Sequence, residues 1–143
     1  MKSSIPRGIR NNNPLNIRIG NVWFGEVSEP TDQSFEQFCQ MRYGVRAAFI
    51  LLYRYIHRYK LDNIAKICTR WAPKSENDTL RYIETVSKVS GIDVTQKLKF
   101  DDRMTMLNLF KGMCMAENGC VIDDCDIVAG YELALDRYRV NRV

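Results

Sequence analysis

The residue whose position most invites a chemical reading is Glu117, in Met113-Cys-Met-Ala-Glu117-Asn-Gly119. On a helical wheel of residues 101–117, Met106, Leu107, Leu109, Phe110, Met113 and Cys114 form an apolar arc, and Glu117 falls within it beside Met106, Phe110 and Met113. A carboxylate among apolar neighbours is costly in its charged form. Asn118-Gly119 is a helix stop, which would put Glu117 in the last turn at the negative end of the helix dipole. Both influences favour the protonated acid and predict a raised pKa, the property a general acid needs to cleave a glycosidic bond. A second placement is equally compatible with the sequence: the helix ends one residue early and Glu117 points into water.

Two further clusters carry polar and aromatic groups together. Arg7-Gly-Ile-Arg-Asn11-Asn12-Asn13-Pro-Leu-Asn-Ile-Arg18 leads into Trp23-Phe-Gly-Glu26. Asparagine side chains can hold irregular backbone by hydrogen bonding, so this loop either shapes a site or closes a turn; the amides beside Trp23 favour a site. Trp71-Ala-Pro73, Ser75-Glu76-Asn77-Asp78-Thr79 and Tyr82-Ile83 make a tight corner between helices. Read plainly, Asn77 or Asp78 is an N-cap and Glu76 is solvated; read functionally, the corner offers an aromatic platform and polar donors to a sugar.

Other chemistries find little footing. There is no Gly-rich phosphate loop and no GxSxG. The lone histidine, His57, lies in a tyrosine-rich helix and reads as packing or surface. Cys114, Cys120 and Cys125 are spaced by six and five, unlike zinc ligands, so the five cysteines read as free, buried, inert thiols. No metal and no cofactor are expected.

The elements that must position these groups are mainly helical. From residue 42 the apolar period becomes 3.6: a helix over about 42–59, with Val45, Ala48, Phe49, Leu52, Ile56 and Tyr59 inward and Arg42, Arg46, Arg54 and Arg58 outward. A second begins at an Asp62 cap and stops before Pro73. A third runs from Asn77 or Asp78 to about Gly91, with Tyr82, Ile83, Val86 and Val89 inward. A fourth spans about 101–117, capped by Asp101 or Asp102, and a fifth about 123–138, with Ile127, Tyr131, Leu135 and Tyr138 on one stripe. Before them, residues 7–34 are loop-rich, and Leu15 to Ile19, Val22 to Phe24 and Phe35 to Phe38 predict two or three short strands. The fold class is mainly α (α+β): four or five helices with a small β/loop lobe near the N-terminus, in one domain over 1–143.

Composition agrees. Hydrophobic residues make up 45% and charged residues 27%, which argues against disorder. A net charge of +4 permits a polyanionic partner without requiring one. No acidic residue lies between Glu36 and Asp62; the arginine face there reads as a solvated surface, or as weak attraction to a cell wall or nucleic acid. No membrane span and no signal peptide are expected, and the protein reads as made in the cytoplasm and delivered to its target by other means.

The stretch Gly8-Ile-Arg-Asn-Asn-Asn-Pro-Leu-Asn-Ile-Arg18, with Trp23-Phe-Gly25 and Gly44-Val-Arg-Ala47, resembles phage virion and prophage proteins that open with a "GIRNNNPGNIR" segment; Leu15 replaces the usual Gly. Those proteins also carry a "RWAP…ENDT…YI" block, matched by Arg70 to Pro73, Glu76 to Thr79 and Tyr82-Ile83. The likeness covers residues 7–90. More distantly, the asparagine run and Thr79 to Val86 are similar to segments of lytic transglycosylases and glucosaminidases of the lysozyme-like superfamily. That resemblance implies a lysozyme-like domain, circularly permuted because the helix-end glutamate, Glu117, follows these segments instead of preceding them. It implies cleavage of the MurNAc–GlcNAc glycan of peptidoglycan. Glu117 would be the acid; Asn11, Asn12, Asn13, Trp23, Trp71, Glu76 and Tyr82 would contact sugar. A hydrolase would need a second carboxylate, from Glu26 or Asp32; a transglycosylase would not. The competing expectation is a non-catalytic phage structural or cell-wall-binding protein on the same fold, with other virion proteins as partners. A nucleic-acid-binding protein rests on the arginine face alone and would show strongly salt-dependent DNA binding.

Overall fold

The computed structural model describes residues 4–75 and 77–140. Among them are six helices: α1 Arg7–Arg10, α2 Met41–His57, α3 Ile64–Trp71, α4 Thr79–Ser90, α5 Arg103–Asn118 and α6 Asp124–Val140. The fold is mainly α. The backbone groups into two compact units: Met1–Ile50 with Glu117–Val143, and Leu51–Ala116.

In the first unit, the expected strands are reduced to two isolated antiparallel bridges, Arg18 to Phe35 and Glu26 to Phe38. The reason is visible in how the loop backbone is satisfied. Asn13 is buried; its amide donates to the carbonyls of Ile17 (2.9 Å) and Glu36 (3.0 Å), and its oxygen accepts from the Ile17 N–H (2.9 Å). Side chains occupy places a strand ladder would fill. The one-turn α1 was not foreseen, because four residues carry no readable period. Leu15, Ile17, Trp23 and Phe38 form the loop's apolar underside. Gly44 lets the first turn of α2 lie on the loop: a Cβ there would strike the carbonyl oxygen of Asn12. Behind it, Phe49 of α2 meets Tyr131 of α6 edge to face at 5.0 Å.

The second unit follows the helical pattern closely. The Asn63 side chain caps α3 by accepting from Lys66 N–H, one residue after the expected Asp62. Asp78 caps α4, and Gly91 ends it in the left-handed conformation. The two helices pack together, with Ile64, Ile67, Cys68, Tyr82 and Val86 buried. Val89 and Tyr59, expected inward, are exposed. Tyr59 lies past the end of α2, where Lys60 already has a φ of 59°. Asp102 caps α5, accepting from the Thr105 N–H at 3.3 Å. Among the cysteines, Cys68 and Cys114 are buried as expected; Cys39, Cys120 and Cys125 are exposed, because they sit on turns and a helix start and not on apolar helix faces. No described helix is long and apolar enough to cross a membrane.

Candidate active site

Glu117 is half-buried in the last turn of α5, and the chain leaves the helix at Gly119 with a φ of 73°. Its Oε1 accepts a hydrogen bond from Asn16 Nδ2 at 2.8 Å. The neighbouring Asn118 donates from Nδ2 to the Pro14 carbonyl at 2.7 Å. The asparagine loop is thus tied to the helix end through two side chains about a hundred residues away in sequence. Gly8 makes the approach possible: a Cβ there would lie 2.6 Å from Asn118 Oδ1 and 2.8 Å from the Asn13 carbonyl oxygen. Asn16 holds a left-handed φ of 53°, a conformation asparagine tolerates better than most residues.

The other asparagines spend their side chains on holding the loop. Asn11 is buried, donates to Asp32 Oδ2 at 2.9 Å and accepts from Gln37 Nε2 at 3.2 Å. Asn12 donates to the Phe38 carbonyl at 3.0 Å. Asn13 is fully committed, as described above. Trp23 is likewise buried beneath the loop. These four residues are too enclosed, or too occupied, for the expected sugar contacts. Sequence reasoning passed over Asn16, which belongs to the same asparagine-rich run and makes the contact with Glu117.

Asp32, considered as a second acid, is engaged by Arg7 in a two-pronged ion pair of 2.7 Å per contact, and accepts from the N–H groups of Ser34 and Phe35. The Arg7 guanidinium holds its carboxyl well below the usual carboxylate range. With Arg10, Asn11, Ser34 and Gln37 it lines an open polar hollow of about 560 Å³.

Glu26 faces Glu36. Phe38 and Glu36 are two residues apart on extended backbone, so they share a face, and Glu26 bridges opposite Phe38. Glu36 is only 7% exposed. Burial, and then the hydrogen bond and charge of Glu26, push the Glu36 carboxyl up to about 7. One oxygen of each, Glu26 Oε1 and Glu36 Oε2, is buried without a hydrogen-bond partner. Glu36 is thus the carboxyl that this setting favours in its protonated form. Sequence reasoning missed Glu36, although the alternation of Phe35, Glu36, Gln37 and Phe38 carried the signal: Glu36 falls on the buried side with Phe38.

In the second unit, Trp71 is partly exposed and packs edge-on against Tyr55 at 5.5 Å. Arg70 lies over the rings of Tyr55 (5.5 Å) and Tyr59 (4.3 Å). Tyr82, expected on a sugar-binding face, is buried in the packing of α3 and α4, because its position on α4 falls on the apolar stripe with Val86. Glu76 lies outside the described residues.

No family model matches the chain. It is 38% identical over 130 residues to Protein P5 of Pseudoalteromonas phage PM2, an alignment covering 88% of this chain and 80% of that protein. The chain belongs to the family of PM2 Protein P5. The expected kinship with a phage protein therefore holds.

Proposed function

We propose that this protein is a peptidoglycan-cleaving glycosidase of lysozyme-like type, with Glu117 as its general acid and Asn16 as the residue that positions it. The observation that carries the reading is the 2.8 Å hydrogen bond from the Asn16 amide to Glu117 Oε1, at the end of a helix. A permuted lysozyme-like arrangement requires the end of that helix to face the asparagine loop, and the bond supports this. An amide donor fixes Oε1 as acceptor, so the transferable proton resides on the second oxygen. Protonation of the glycosidic oxygen from there would be followed, in a transglycosylase, by the same carboxylate drawing a proton from the muramyl C6 hydroxyl as the ring closes. That route asks for no second carboxylate. It suits a chain in which Asp32 is held by Arg7 and Glu26 is turned toward Glu36. Sugar contacts are assigned to the exposed rim of the asparagine loop.

The test is turbidity clearing of purified sacculi, with mass spectrometry of the released fragments. Wild type clears and releases anhydro-muramyl products; Glu117→Gln folds with an unchanged melting temperature and loses clearing by about a hundredfold or more. Equal clearing by Glu117→Gln would remove Glu117 from the reaction. A wild type inert on sacculi of several chemotypes would favour the non-catalytic virion protein.

A further inference from the structure

The first unit carries an exposed apolar tip that the glutamate site does not use. Residues 19–24 turn sharply at Ile19-Gly20-Asn21, and their side chains stand out: Val22 is 95% exposed, Phe24 65% and Ile19 49%. Phe24 is braced from below, meeting Tyr43 edge to face at 5.1 Å. The loop is therefore a supported projection, and the solvent-facing apolar surface is its end.

Arginines lie beside this tip. Arg46 lies over the Phe24 ring at 5.7 Å and Arg42 over the Tyr43 ring at 5.3 Å. Burial, and then the charge of Arg137 of α6 nearby, push the Arg46 guanidinium down. No acidic residue occurs before Glu26, and none lies between Glu36 and Asp62. Glu26 itself is turned toward Glu36.

We propose that the Ile19–Phe24 loop docks the protein on an anionic lipid surface, with Val22, Phe24 and Ile19 entering the headgroup layer and Arg42, Arg46 and Arg137 meeting lipid phosphates. Aliphatic side chains with an arginine collar match an interface that is apolar beneath and negative above. A nucleic acid would be met by flat aromatic and hydrogen-bonding groups, and the Val22 and Ile19 side chains offer neither. A protein partner would have no need of an arginine collar. The mode is surface attachment, in keeping with helices that are not long and apolar enough to span. It is independent of the role given to Glu117.

Co-sedimentation with lipid vesicles tests it. The chain should bind vesicles rich in phosphatidylglycerol, bind pure phosphatidylcholine vesicles much less, and be released by salt. Val22→Asn changes no charge at a nearly fully exposed site and should leave the fold intact; it should weaken binding roughly tenfold. Arg42→Gln and Arg137→Gln should each weaken it roughly fivefold. Absence of binding to the anionic vesicles overturns the proposal. Full-strength binding by Val22→Asn overturns it too, because contact would then be electrostatic alone, as would equal retention on heparin and vesicles. A wild type that self-associates without lipid, and a Val22→Asn variant that does not, would reassign the tip to a contact between copies of this chain.

Discussion

Two carboxyl sites in the same unit of this protein differ in their partners. Glu117 is met by the side-chain amide of Asn16. Glu36 is met by another carboxyl, Glu26. An amide neighbour orients an acid without competing for its proton. A carboxyl neighbour competes, and Glu36, its value raised to about 7 by burial and by Glu26, is engaged with that side chain. Structural pairs perturb acids as readily as active sites do, so the size of a perturbation does not by itself single out the catalytic group. The partner and the access to solvent do.

The largest expected contrast follows from this. Glu117→Gln should remove about a hundredfold or more of the sacculus-clearing rate, whereas Glu26→Gln and Glu36→Gln, assayed at the same pH, should change it less than about threefold. Clearing that survives Glu117→Gln but fails in Glu36→Gln, with melting temperatures unchanged, would reverse the assignment of the two sites.

The next contrast concerns what the asparagines do. Asn13→Ala should destabilise the fold by about 3 kcal/mol in urea denaturation, since it strands two buried carbonyls and one buried N–H. A loss below about 1 kcal/mol would mean that the loop is held by something other than its amides.

Much of the helical frame was legible because its signals are local. Asp78 before Thr79 and Gly91 after Ser90 mark both ends of α4 by capping chemistry alone. Asn118-Gly119 likewise marked the end of α5, which placed Glu117 in the last turn. The asparagine loop was legible as a special segment but not in its detail. Which amide is spent on Ile17, on Phe38 or on Glu117 depends on contacts across many residues, and composition cannot rank four asparagines by direction. The expected strands failed for the same reason: Asn13 satisfies backbone groups that a ladder would have paired. Tyr82 carried two readings: the helical period put it inward, which holds, whereas the resemblance put it on a sugar-contacting face.

The carboxyl pair also predicts a pH dependence. Glu36 has its folded value raised from the ordinary 4.5 to about 7. Between those values the folded chain binds more protons than the unfolded chain, so stability falls as pH rises through that window and is level above it. The loss should be on the order of 2–3 kcal/mol. Glu36→Gln keeps a donor to Glu26 but cannot ionise, so its stability should stay flat from pH 5 to 8 in paired denaturation curves. A wild-type curve equally flat would show that Glu36 ionises without cost.

The smallest effect separates orientation from chemistry at Glu117. Asn16 sits at a φ of 53°, so Asn16→Gly keeps the backbone at ease while deleting the amide. If the amide positions the acid, the variant should fold normally and clear sacculi roughly tenfold more slowly, with an unchanged substrate affinity. Asn16→Asp goes further. It places a second carboxyl where the amide stood, 2.8 Å from Glu117 Oε1. Two carboxyls that close do not both ionise readily, so the working acid keeps its proton to higher pH. The alkaline limb of the clearing profile should move upward even as the maximum rate drops. A merely structural Asn16 would lower the rate of both variants through stability and leave the profile where it was.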